Sequence, residues 1–397
     1  MNKFIEELLL LKKMNWLMVI AVAVLTVIGV IFIYSSGYVS EDQPVRSLYR
    51  KQIVWAVAGG LCYLVFAVLD YRELRKIAWW TYIAGVFLLI VVLLVGTRIY
   101  GARRWLMLFG IGIQPSELAK LAMIFVLARR LSRPAIFFEH FKPVGILLVV
   151  TAIPVMLIAK EPDIGTSLIF LMTLFVMLFV AGVPMRIVGG LVLAGLVVSA
   201  TVLSALFLPE KLGMSEDKQG KIMHLVGVSG YHKDRMKVFL KSDVDPLGAG
   251  WNKMQSEMAV GSGGLWGKGF LKGTQNILGF LPPSVAPTDF IYSVIAEESG
   301  FLGSVTVIFF FGVLVATGVM TAVGARDKFG RLLCVGIVAM LFSHASINMA
   351  MTVGLMPIIG VPLPLISYGG SFMIVTMSAL GIIQSVYIRS RSFAEEA

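Results

Sequence analysis

The sequence predicts an all-α polytopic membrane protein, with about ten transmembrane helices and one long extracytoplasmic loop between spans 7 and 8. Two observations carry that class. Of the 397 residues, 58% are apolar and only 14% charged. The apolar residues gather in runs of about 20, the length of helix that crosses a bilayer. Lipid offers backbone amides no partner, so such runs must satisfy their own hydrogen bonds as helices. The second observation is an uneven division of Lys and Arg between alternate loops.

Taken in order, residues 1–13 set Phe4, Ile5 and Leu8 to Leu11 beside Lys3, Lys12 and Lys13, and predict an interfacial helix. Spans are expected at 14–35, 52–69, 77–96, 115–131, 142–159, 164–182, 185–208, 291–321, 331–355 and 366–388. The first run, Met14 to Ile33, is too long for a signal-peptide core and lacks a small-residue cleavage site. Span 8 exceeds what a bilayer needs, so its first turns, with Glu297 and Glu298, are expected in a polar cavity or at the interface.

With the N-terminus inside, the inner side collects Lys3, Lys12, Lys13, Arg72, Arg75, Lys76, Arg129, Arg130, Arg133, Lys142, Arg186, Arg326, Lys328, Arg331, Arg389 and Arg391. The outer short loops hold only Arg46, Arg50, Lys51, Arg98, Arg103, Arg104 and Lys160, so both termini are expected in the cytoplasm. The chain reads as one integral membrane domain over 1–397: spans 1–7 within 14–208, the outer loop at 209–289, and spans 8–10 with a short tail in 290–397. That loop is not of low complexity. It carries helix-like stretches (Lys233 to Lys241, Trp251 to Val260) and a glycine-rich run from Gly261 to Gly269. No internal repeat of the inverted-transporter kind is seen. Cys62 and Cys334 fall in spans and imply neither a disulfide nor a metal framework. The net charge of +11 flanks spans and requires no nucleic acid.

Charges inside or beside spans are costly in lipid and mark function. Asp289, in Pro287-Thr288-Asp289-Phe290, stands where the outer loop re-enters an apolar run: an unusual cap, or the working group of an enzyme. Glu117 and Lys120, at i and i+3, share one face of span 4, either as a self-neutralising pair or as the lining of a polar cavity. Before them Arg103, Arg104 and Trp105 defy the positive-inside trend and suit a phosphate headgroup. Asp163, in Lys160-Glu161-Pro162-Asp163, either caps the next helix or joins the site. Glu257 and Lys268 are the polar candidates of the loop, where glycine backbone can approach a phosphate or sugar closely. Pro362 to Ser371, including Ser367 and Tyr368, predicts broken or re-entrant backbone lining a cavity. His344 reads as a helix-packing residue, with a proton relay as the alternative. Metal-ligand spacing is absent, and no Ser/His/Asp pattern stands out.

Together these motifs resemble the SEDS family, the shape, elongation, division and sporulation proteins that include RodA and FtsW. The resemblance rests on Gly101 to Leu106, Gln114 to Lys120, Pro162 to Ser167, Thr288 to Ile291 with Glu297-Glu298, and Pro362 to Ser371, and it spans nearly the whole chain. Gly267-Lys268-Gly269 followed by Gly273-Thr274-Gln275 is similar to the RodA branch. The resemblance implies a peptidoglycan glycosyltransferase of the bacterial inner membrane that polymerises lipid II on the outer face during cell elongation. It implies Asp289 as the catalytic residue, Glu117 and Lys120 as cavity lining, and Trp105 as the loop tryptophan. It also implies a class B penicillin-binding protein as partner within an elongation complex. One departure is visible: Leu281 to Pro287 replaces a Glu and a His usual in the family and is two residues longer, while the Asp is kept.

The chemistry so implied is undemanding. Pyrophosphate leaves without a general acid, so one base and some cations suffice, in contrast to the paired carboxylates of glycoside hydrolysis. Asp289 would be the base, with Lys120, Arg103 and Arg104 steadying the leaving group. A divalent cation, Mg2+ or Mn2+, bridging carboxylate and pyrophosphate is compatible with that chemistry. Two rivals share the features: a flippase for the lipid-linked precursor, and a non-catalytic scaffold for the transpeptidase.

Overall fold

The computed structural model describes residues 11–38, 43–99, 102–108, 111–134, 141–215, 218–220, 230–240 and 248–392. Most of the expected interfacial helix, Gly101 and parts of the outer loop lie outside the described residues.

Each expected span has its helix: α1 Trp16–Gly37, α2 Leu48–Val68, α3 Tyr71–Val95, α4 Pro115–Leu131, α5 Phe141–Lys160, α6 Ile164–Val180 and α7 Met185–Lys211. After the helices of the long loop, α8 Gly230–Leu240 and α9 Ala249–Ser262, come α10 Ile291–Gly324, α11 Lys328–Thr352 and α12 Gly370–Ser392. Among the described residues, eight helices are long and apolar enough to cross a membrane. The other two expected spans, α4 and α6, are each 17 residues long. The chain is a polytopic helical membrane protein.

Starts and stops follow local chemistry. Asn15, Asp70, Asp163 and Asp327 cap α1, α3, α6 and α11 by accepting backbone amides with their side chains. Pro115 opens α4 where no amide partner is needed. The helices do not form an even ring. Most of α11 and α12 is buried inside the protein, whereas α7 is almost wholly exposed. Helix α12 lies along α2, α10 lies against α11 and α1, and α11 also packs on α4 and α6. Helix α4, with its two charges near the start, is buried on nearly every side.

Two features were not legible as such. Between α3 and α4 runs a small antiparallel sheet in the order β1 (Thr97–Ile99), β2 (Ala102–Leu108), β3 (Ile111–Ile113). It adds strands to a class expected to be purely helical. Its segments are so short that apolar content spoke louder than alternation. Helix α10 is also broken at Gly300, at φ 66 and ψ −160. The glycine-rich run packs into this break: Lys268 N and Gly269 N donate to the carbonyls of Glu297 and Glu298 at 3.0 and 2.9 Å. In return Phe301 N donates to Gly264 O at 2.9 Å. A methyl at Gly300 would stand 2.7 Å from Leu265 O, so glycine is needed for backbone to meet backbone. The run secures a helix break, and no ligand is needed to account for its glycines.

Candidate active site

Asp289 ends a tight turn. The carbonyl of Val285 accepts from Thr288 N, Asp289 N and Phe290 N at 3.2, 3.1 and 3.3 Å, after which α10 begins. Three successive carbonyls of the turn are then held from outside. Pro287 O accepts from Tyr368 N at 2.8 Å, Thr288 O from Ser367 Oγ at 2.5 Å, and Asp289 O from Asn348 Nδ2 at 2.9 Å. The carboxylate of Asp289 is partly buried and free of helix-capping duty. Gly360, at φ +69, faces it: a methyl there would lie 3.4 Å from Oδ2.

Burial and the charges around it set its acidity. Burial is the largest influence, and with the charge of Asp163 it pushes Asp289 up from the usual carboxylate range to about 6, against the pull of Arg235 and Arg104. The neighbouring Glu161 is 2% exposed, and its Oε1 has no hydrogen-bond partner among the described residues. Burial first, then Asp163, drive it to about 8, with Arg104 opposing. That shift favours the protonated form of Glu161 at neutral pH.

Strand alternation separates the two arginines, because neighbouring residues of β2 point to opposite faces. Arg104 reaches the loop before α6, donating to Glu161 O at 2.9 Å and Pro162 O at 2.5 Å, with Asp163 Oδ2 at 3.8 Å. Arg103 turns the other way and donates to Leu93 O and Leu94 O at 3.3 and 3.1 Å, closing the end of α3. Arg103 thus belongs to the frame, and the leaving-group role expected of it is not supported by this placement. Trp105 lies across Gly112, where a methyl would stand 3.2 Å from its ring.

Lys120 and Glu117 form a buried ion pair at 2.9 Å, 1% and 3% exposed. On its far side Lys120 Nζ meets His344 Nε2 at 2.6 Å. Asp163 lies within electrostatic range of Glu117 as well as of Asp289, so the carboxylates and cations form one continuous cluster. Asp163 does both jobs that its sequence position allowed. It caps α6 through Thr166 N at 3.0 Å and also faces Arg104.

Three other expected ligand residues are placed elsewhere or are already engaged. Lys268 pairs with Glu297 at 2.6 Å and donates to Thr274 Oγ1, bracing the loop on the break in α10. Glu257 sits 3.7 Å from Lys253 and against the turn at Gly354. Ser367 is 1% exposed and spends its hydroxyl on the Asp289 turn. Tyr368 also holds that turn through its backbone, while its partly buried side chain meets Trp55. For Lys268 and Ser367 a partner distant in the chain satisfies the polar group, which a linear reading does not show. Four residues absent from the expected set take part: Arg235, Glu161, His344 and Asn348. Glu161, His344 and Asn348 stood in segments already singled out. Nothing in the sequence aims Arg235, on a loop helix, at Asp289.

A cation cage does not emerge. Among the described residues no group of three or more His, Cys, Asp or Glu gathers at metal spacing. Both Asp163 oxygens accept from Thr166 at 3.0 Å. These residues do not fit a dedicated divalent site.

Comparison with known proteins bears on the family of the chain. The family model of the FtsW, RodA and SpoVE cell cycle proteins matches residues 15–392. The chain is 34% identical to the peptidoglycan glycosyltransferase RodA of Treponema pallidum, over 94% of this chain and 98% of that one. It is equally 34% identical to the peptidoglycan glycosyltransferase MrdB of Escherichia coli, over 94% of each. In three dimensions it superposes on a chain of a peptidoglycan synthase complex that coordinates polymerization and crosslinking, with TM-score 0.76, 28% identity, and 95% and 98% of the two chains covered. It also superposes on the rod shape determining protein RodA of Thermus thermophilus, with TM-score 0.64, 28% identity, and 94% and 96% covered. A match across nearly all of both chains, on a polytopic helical fold, identifies the chain as a member of the FtsW, RodA and SpoVE cell cycle protein family.

Proposed function

We propose that this chain is a peptidoglycan glycosyltransferase that polymerises lipid II into glycan strands during cell elongation, with Asp289 as the base. The observation that supports this most is the state of Asp289: a partly buried carboxylate held by its backbone and raised to about 6. At neutral pH it is mostly ionised yet binds a proton more readily than an ordinary Asp, as a general base should.

In the reaction, the C4 hydroxyl of the acceptor GlcNAc attacks C1 of the donor MurNAc and gives its proton to Asp289. The bond from C1 to the pyrophosphate oxygen breaks with inversion, and undecaprenyl pyrophosphate departs. Arg104 and Arg235, the cations whose charge acts on Asp289, are suited to the developing negative charge. The Lys120–Glu117 pair forms the buried floor of the cluster. A divalent cation bridging carboxylate and pyrophosphate would suit this chemistry, and among the described residues no group of three or more ligands gathers to hold one beforehand.

The distribution of Lys and Arg supports a multi-pass protein of the bacterial inner membrane, with both termini cytoplasmic and Asp289 on the outer side. The likeness to a chain of a polymerising and crosslinking complex supports a class B penicillin-binding protein as partner. The test is polymerisation of purified lipid II by wild type and Asp289→Ala, each with and without the co-purified transpeptidase, read as strands on a gel. Strands from the wild type alone are expected. Equal product from both would remove Asp289 as base, and no product from either, even with partner, would favour the flippase or the scaffold.

A further inference from the structure

Helix α11 carries two fully buried polar side chains, His344 and Asn348, 2% and 0% exposed. At i and i+4 they lie on one face of the helix. Each makes two hydrogen bonds, and the four partners form a pattern. Asn348 Nδ2 donates to Asp289 O at 2.9 Å and to Val361 O at 2.7 Å. His344 contacts Lys120 Nζ at 2.6 Å through Nε2 and Pro362 O at 3.3 Å through Nδ1. Lys120 can only donate, so Nε2 accepts, and the neutral ring places its proton on Nδ1 toward Pro362 O. The two residues therefore hold successive carbonyls, Val361 and Pro362, with one bond each. Their other bonds reach the main chain of the base and the ammonium of the buried cation.

We propose that His344 and Asn348 are positioning residues for glycosyl transfer, forming a two-point clamp that sets Asp289 relative to the Lys120–Glu117 pair. This rests on the glycosyltransferase reading above and adds two residues to its machinery. Both anchors sit on one rigid, buried helix, so the spacing of base and cation follows from the pitch of α11 rather than from the loops that carry them. The 361–368 segment is drawn into the same arrangement. It contributes the carbonyls, the Ser367 hydroxyl that holds Thr288 O, and the Tyr368 amide that holds Pro287 O. Displacing a catalytic group by about 1 Å costs on the order of 10²-fold in rate without necessarily weakening binding.

The experiment compares His344→Leu, His344→Gln, Asn348→Leu and wild type in lipid II polymerisation, measuring kcat and KM separately. Leucine roughly preserves volume and removes both bonds, whereas glutamine can accept from Lys120 and donate to Pro362 O. Both leucine variants should lose kcat by about 10²-fold, with KM for lipid II within about threefold. His344→Gln should recover at least about tenfold of that loss. Retained kcat in the leucine variants, a loss confined to KM, or His344→Gln as poor as His344→Leu would overturn the proposal. Amide hydrogen exchange is measured on the same variants. In Asn348→Leu, exchange across 285–290 and 361–367 should rise while that of α12 stays constant. A wild type that makes no strands removes the functional reading, and the clamp is then decided by exchange alone, unchanged protection overturning it.

Discussion

If Asp289 is the base, the acid side of the rate profile reports its proton, and its neighbours should move that profile in opposite directions. With burial holding Asp289 at about 6, half the enzyme carries the catalytic carboxylate at that pH. At pH 5 about a tenth does, so kcat should fall about tenfold for each further pH unit. An exposed aspartate, near 3.8, would leave the rate flat down to about pH 5. Asp163 raises Asp289, so Asp163→Asn should move the midpoint down. Arg235 lowers it, so Arg235→Met should move the midpoint up. The assay is initial-rate polymerisation of lipid II from pH 4.5 to 8, with reversibility checked by returning each sample to pH 7. A wild-type midpoint near 4, or two variants moving it the same way, would refute the assignment of the base or of its electrostatic surroundings.

Asp289→Asn, which keeps the shape and discards the base, should fold with the wild-type melting profile and lose about 10²–10⁴-fold in kcat. The two adjacent arginines should separate by phenotype. Arg103→Ala, which frees the Leu93 and Leu94 carbonyls, should lower stability by about 1–3 kcal/mol in thermal melts while sparing most activity. Arg104→Ala should act on kcat first. Glu161 keeps its proton in the fold up to about pH 8, against 4.5 for an ordinary Glu, so ionising it costs stability increasingly as pH rises between those values. Glu161→Gln should therefore melt close to wild type at pH 5 and clearly higher at pH 8, and an equal shift at both would refute the buried neutral acid. Gly267, at φ +80 against the Glu298 carbonyl, should not accept a side chain. Gly267→Ala should cost at least about 1–3 kcal/mol, read as a lower melting temperature.

The sequence alone determined the membrane architecture, because the hydrophobic effect and the need to satisfy backbone amides in lipid act on runs of about 20 residues. It located the charges that lipid would not tolerate idly: Asp289, Glu117, Lys120 and Asp163 could each be named from the residues about them. What it could not contain was direction. Arg103 and Arg104 are neighbours in the chain, and only a strand, too short to read in its loop, turns one toward a helix end and the other toward Asp163. Lys268 and Ser367 looked available until Glu297 and Thr288, 29 and 79 residues away in the chain, were seen to occupy them. Arg235 gave no signal because its partners come from other elements. A polar side chain buried in a helical membrane protein is defined by what it meets. Those meetings, among residues up to hundreds of positions apart, are settled by helix packing and not by any local pattern.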